Sequence, residues 1–111
     1  MNSYEHTFIT KHDLSESQAK KLLSKYENII KTSDGKILKT EEWGLRNLSY
    51  PIKNNKRGFY FHIKLLGIGK TIEKLEKAEN IDETLIRYLT VKVKKHDLKK
   101  NYFEKKNFST N

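Results

Sequence analysis

Arg46, Tyr50, Lys53, Lys56 and Arg57 are the residues of this chain best placed, by type and spacing, to do chemistry. Arginine and lysine donate charged hydrogen bonds to phosphate oxygens. A tyrosine among them can stack on a base or donate to a phosphate. The competing use is a solvated hairpin tip with Tyr50 packed on Pro51. A second basic group begins at Arg87 and continues through Lys92, Lys94 and Lys95 to Lys99, Lys100, Lys105 and Lys106. Groups suited to bond-making chemistry are missing. His6, His12, His62 and His96 have no metal-ligand spacing. Glu41 and Glu42 are adjacent on a strand and point to opposite faces, which makes a poor acid–base pair. Gly67-Ile68-Gly69-Lys70-Thr71 resembles the end of a phosphate loop, but the earlier glycine at the required spacing is absent, so it reads as a strand-to-helix turn. No catalytic set, cofactor site or metal site is expected, and no small-molecule substrate.

The charge balance agrees with a polyanionic partner. The chain has 111 residues and a formal net charge of +9. Residues 1–34 carry five lysines and five acids, and residues 65–85 carry three basic residues against five acids. Residues 35–64 carry seven against two, and residues 86–111 carry eight against two. Positive charge is therefore segregated, as expected of a nucleic-acid binder rather than of a chain that is merely lysine-rich for solubility. The length suits one domain with a modest core, and the tyrosines and phenylalanines supply aromatic mass for it. There is no cysteine, hence no disulfide and no thiolate site. No run approaches the ~18 apolar residues of a membrane span, and the start lacks the pattern of a secretory signal.

The elements that must position these residues follow from periodicity. Tyr4 to Thr10 reads as a strand. Ser15 with Gln18 fits a capping box, and Ala19, Leu22, Leu23, Tyr26, Ile29 and Ile30 recur at helical spacing behind it. Ser33-Asp34-Gly35 ends the helix, with Gly35 suited to a left-handed cap. Lys36 to Ser49 is a second strand with a glycine kink at Gly44, closing at Pro51. Lys53-Asn54-Asn55-Lys56-Arg57-Gly58 is a polar turn, and Phe59 to Leu66 a third strand. Alternation sends Phe59, Phe61, Ile63 and Leu65 to the core and Tyr60, His62 and Lys64 outward. His6 is expected half-buried. Thr71 to Glu79 is a short helix buried along Ile72, Leu75 and Ala78. Leu85 to Val93 is the last strand, on which Arg87 beside Tyr88 is a sheet-surface arginine. The order β-α-β-β-α-β is that of an α+β, ferredoxin-like domain: a four-stranded antiparallel sheet with two helices on one face. It occupies residues 1–95. Residues 96–111 form a basic C-terminal tail that orders on a partner.

Glu42-x-Gly44-Leu45-Arg46-x-Leu48-x-Tyr50-Pro51-Ile52, with Gly58-Phe59-Tyr60 after it, resembles the bacterial-type ribosomal protein S six family of the small subunit. The Tyr4-Glu5 start and the strand of Arg87 fit too, and the resemblance spans roughly residues 3–94. It implies a non-enzymatic component of a cytoplasmic (or organellar) small subunit. Such a protein binds the central domain of small-subunit ribosomal RNA together with ribosomal protein S eighteen, in platform assembly. Arg46 and Tyr50 are then the first candidates for RNA, with Arg87 next; Lys53, Lys56, Arg57, Lys92 and Lys94 complete the basic set. Departures from the family pattern are Asn47 after Arg46, His6 at a usually apolar position, and Asn2-Ser3 at the start. Two other readings compete. Arg57-Gly58-Phe59-Tyr60-Phe61 partly echoes an RNA-recognition motif, which would bind single-stranded RNA through exposed Phe59 and Phe61. An acylphosphatase-type enzyme would need a phosphate-cradling loop at Lys11-His12-Asp13-Leu14-Ser15, which has neither glycine nor arginine.

Overall fold

The computed structural model describes residues 1–52 and 55–94, without the side chains of residues 49–52. Lys53 and the tail from Lys95 onward lie outside the described residues. The elements are β1 (Asn2–Lys11), α1 (Glu16–Thr32), β2 (Lys36–Ile52), β3 (Asn55–Gly67), α2 (Gly69–Asn80) and β4 (Leu85–Val93). The strands form one antiparallel sheet in the order β2-β3-β1-β4. This is the ferredoxin-like arrangement, with both helices on one face.

Alternation along β1 and β3 decides which face each side chain joins. Tyr4, His6 and Phe8 pair with Leu65, Ile63 and Phe61 and face the helices. Phe8 stacks on Phe61, with ring centroids 5.0 Å apart, and meets the edge of Tyr26 from α1 at 5.2 Å. Ala19, Leu23, Tyr26 and Ile30 of α1 are buried, and so is Leu75 of α2; Leu22, Ile29, Ile72 and Ala78 are partly buried at the rim of the core. Phe61 is buried and Phe59 half-buried against the same core. Neither is offered on the open sheet face, which removes the recognition-motif reading.

Local chemistry sets the helix limits. The Ser15 hydroxyl accepts from the Gln18 amide at 3.1 Å and the Gln18 side chain accepts from the Ser15 amide at 2.9 Å, so the capping box forms. At the other end the left-handed residue is Asp34, with φ of 65°, and not Gly35. Gly35 serves a different need. A Cβ there would sit 2.7 Å from Ile30 Cγ2 and 2.8 Å from Thr71 Cγ2, so only glycine lets α1 and α2 approach. Thr71 joins the two ends: its hydroxyl donates to the Ser33 carbonyl at 2.6 Å and accepts from the Ile68 amide at 3.2 Å.

Three further expectations change. β3 begins at Asn55, so Lys56, Arg57 and Gly58 are strand residues and not part of a turn. β2 runs through Pro51 to Ile52, which an edge strand tolerates because the missing amide is not needed by an inner neighbour. His6 is fully buried, not half-buried. Its Nε2 is hydrogen-bonded with Glu79 Oε2 at 2.7 Å, and its Nδ1 with the Thr90 hydroxyl at 2.7 Å. A pair buried this way ties the end of α2 to the sheet.

Candidate nucleic-acid and partner interface

The sheet face opposite the helices gathers side chains in cross-strand rows. Tyr60 of β3 pairs with Ile9 of β1, which pairs with Arg87 of β4; on the other side Tyr60 pairs with Gly44 of β2. The next row is Glu41, His62, Thr7 and Leu89, and the one after it Lys39, Lys64, Glu5 and Val91. The register between β2 and β3 shifts between Glu42 and Gly44. Gly44 there takes a φ of 77°, a left-handed conformation that L side chains avoid. This bulge turns Trp43 over the open face. Its indole stacks on Tyr60 with centroids 5.8 Å apart and on His62 at 5.9 Å, and its Nε1 donates to Glu41 Oε1 at 2.8 Å.

Arg46 is tied to the same bulge, its Nε donating to the Trp43 carbonyl at 3.0 Å. Burial pushes the Tyr60 phenol up from its ordinary pKa, and the Arg87 and Arg46 guanidiniums both pull against that shift. Both cations therefore act on one phenol, Arg46 from β2 and Arg87 from β4. Below this group, the Thr7 hydroxyl is hydrogen-bonded with His62 Nδ1 at 2.7 Å, and Glu5 Oε1 lies 3.3 Å from His62 Nε2. The arrangement offers guanidinium donors beside an aromatic stack, a combination that holds phosphates and flat rings.

Of the expected site residues, Arg46 and Arg87 converge on Tyr60. The residue flanking Arg87 in chain order, Tyr88, turns instead to the helix side, where it packs on the core. Lys56, Arg57, Lys92 and Lys94 are exposed. Arg57 has the parity of Phe59, and Lys92 pairs with Tyr4, so neither shares the face of Arg46 and Arg87. Tyr50 lies in β2 beyond Arg46. Trp43 and Tyr60 enter the group without having been expected in it. Their signal was the outward parity of Tyr60 and the glycine directly after Trp43. Among the described residues no group of three or more His, Cys, Asp or Glu side chains is placed to hold a metal ion, and no helix is long and apolar enough to cross a membrane.

The sequence profile of the family described as ribosomal protein S6 matches residues 3–92. The chain belongs to the ribosomal protein S6 family. The small ribosomal subunit protein bS6 of Pelagibacter ubique is 53% identical over 106 residues, covering 96% of this chain and 88% of that protein. The bS6 protein of Bartonella bacilliformis is 37% identical over 97 residues, covering 87% of this chain and 71% of its own length. The crystal structure of 30S ribosomal protein S6 from Thermotoga maritima superposes with a TM-score of 0.80 at 29% identity, covering 83% of this chain and 87% of that one. Ribosomal protein S6 is a structural component of the ribosome and not an enzyme, so the family leaves no place for the acylphosphatase reading.

Proposed function

We propose that this protein is a structural constituent of the small subunit of the cytoplasmic ribosome, where it binds small-subunit ribosomal RNA together with ribosomal protein S eighteen and supports platform assembly and translation. The observation that carries the reading is the convergence of Arg46 and Arg87 on Tyr60, stacked under Trp43 on an open sheet face, in a chain of the ribosomal protein S6 family. Arg46 and Arg87 contact phosphate oxygens. Tyr50 stacks on a base or donates to a phosphate. Lys53, Lys56, Arg57, Lys92 and Lys94 add long-range attraction. No step of covalent chemistry is involved; the protein contributes placement and charge neutralisation.

The test is binding of the purified protein to a central-domain fragment of small-subunit ribosomal RNA, with and without ribosomal protein S eighteen, at two salt concentrations. Binding that is tight, needs the partner and weakens steeply with salt is expected, because each neutralised phosphate releases condensed counterion. Weak binding, equal for any RNA and indifferent to the partner, would overturn the reading.

A further inference from the structure

His62, buried on the sheet face away from the helices, is held from both neighbouring strands. From β1, the Thr7 hydroxyl is hydrogen-bonded with Nδ1 at 2.7 Å, and Glu5 Oε1 lies 3.3 Å from Nε2. From β2, the Trp43 indole stacks on the ring with 14° between the planes, and the same indole stacks on Tyr60 at 19°. His62 thus joins the centre of the sheet to the bulge and, through the Trp43 carbonyl, to Arg46. These partners serve the ring in either charge state. A hydroxyl both donates and accepts, so Thr7 meets a bare Nδ1 or a protonated one. A second ring proton makes the Glu5 contact an ion pair and gives the indole face a cation to hold. Glu41, the register partner of His62 on β2, adds a second carboxylate. Burial opposes the charged ring. So do the cations on this face: Lys64 on β3, Lys39 and Arg46 on β2, and Arg87 on β4. The row of His62 ends on β4 in the uncharged Leu89, and α1 and α2 lie on the opposite face. Two of the opposing cations, Arg46 and Arg87, both act on the adjacent Tyr60.

We propose that His62 is a positioning residue of this face: it holds Trp43 across Tyr60, and it takes up a proton when a polyanion settles on Arg46 and Arg87, so that binding tightens as pH falls. A phosphate on the two guanidiniums offsets the charge that opposes the imidazolium. The ring then gains its proton, and by linkage the added proton strengthens the hold on the polyanion in return. The hydrogen bond to Thr7 and the stack on Trp43 survive the change, so the face gains a positive charge without being rebuilt. The inference rests on the RNA-binding reading for its polyanion, and it requires no partner protein.

The test follows the ring Cε1–H resonance of His62 by NMR between about pH 5 and 8. The full chain is titrated free, with the central-domain RNA fragment, and with heparin, a polyanion that has no bases. The expected result is a His62 midpoint that rises when heparin or the RNA fragment is bound; a midpoint unchanged or lowered with heparin overturns the proposal. Trp43 is the only tryptophan and reports the stack. An imidazolium quenches an indole stacked on it, so Trp43 emission in the free protein is expected to fall along the His62 titration. That step is expected to vanish in His62→Gln; emission that does not follow His62 overturns the positioning role. Affinity for heparin is expected to rise severalfold from about pH 8 to about pH 6, and His62→Gln is expected to remove the rise. A His62→Gln protein that keeps the rise and loses only melting temperature has lost a structural contact, and the proposal falls. The two readings fail separately: an RNA fragment bound no better than any other RNA refutes the ribosomal reading, while the His62 midpoint with heparin decides this one.

Discussion

His6 and Glu79 lie 73 positions apart in sequence and 2.7 Å apart in space. Both side chains are wholly buried, and among the described residues Glu79 Oε1 has no hydrogen-bond partner. Removing one member leaves a buried polar group without its partner, so His6→Ala or Glu79→Ala should cost about 3–5 kcal/mol in urea unfolding. The double replacement His6→Leu with Glu79→Leu should recover most of that loss, because apolar packing needs no desolvation; a double variant as unstable as the sum of the singles would contradict this account. The site arginines behave differently. Arg46→Ala and Arg87→Ala should each weaken RNA binding and lower the salt slope by roughly one, whereas a contact to a base edge would leave that slope nearly unchanged. Arg57→Ala and Lys92→Ala, on the other face, should change affinity less in the same titration. If Arg46→Ala lowers only the melting temperature, its role is structural. None of these pairings was legible in the chain itself. Sequence periodicity gave the outward direction of Tyr60 and Lys64, but direction does not say what lies above a side chain or which distant residue meets it.

At the scale of elements, local signals were the readable ones. Ser15 and Gln18 announce the start of α1 because both partners of the capping box lie within one turn. Ser15→Ala should lower stability by about 1 kcal/mol, seen as a lower thermal midpoint. The β3 start was misplaced because Lys56, Arg57 and Gly58 look like turn residues, while pairing of Arg46 and Asn47 with Gly58 and Arg57 holds them in the sheet. The bulge at Trp43 was equally hidden, since a register shift leaves only a glycine as its mark. Between α2 and β4, Asp82 ties its loop to α1: it accepts from the Tyr26 hydroxyl and from the Thr84 amide at 3.0 Å, and lies 3.9 Å from the Lys25 ammonium. Burial alone would raise its pKa, but the Thr84 and Tyr26 hydrogen bonds and the Lys25 charge outweigh that and lower it below the ordinary 3.8. A carboxyl depressed on folding stabilises the protein above its unfolded pKa and loses that contribution as pH falls through the folded value. Asp82→Asn should therefore flatten the acid limb of stability below about pH 4. Glu79 has the opposite sign. Burial raises it above 4.5, against the hydrogen bond and charge of His6, and Glu76 and Asp82 add to the rise. Its contribution is complete below the unfolded pKa and declines as pH rises through the folded one, a decline that Glu79→Gln should abolish in the same pH series.

For the molecule as a whole, element order was enough to indicate the ferredoxin-like fold. The described parts of the basic segments are largely strand, with Arg46 and Arg87 on the open face and Arg57 on the other, while the covering helices come from the neutral and acidic segments. Strand neighbours could not be read from the chain, because pairing depends on contacts between segments far apart in sequence. The order β2-β3-β1-β4 has a temporal consequence. β1 is the first strand to leave the ribosome that synthesises this protein, yet it is an inner strand whose two neighbours, β3 and β4, are made later. Until β4 emerges, one edge of β1 has no strand to pair with, and His6 lacks Thr90. The sheet is thus completed only when the last strand clears the exit tunnel, and a nascent chain stalled short of β4 carries an unpaired edge that invites misassociation.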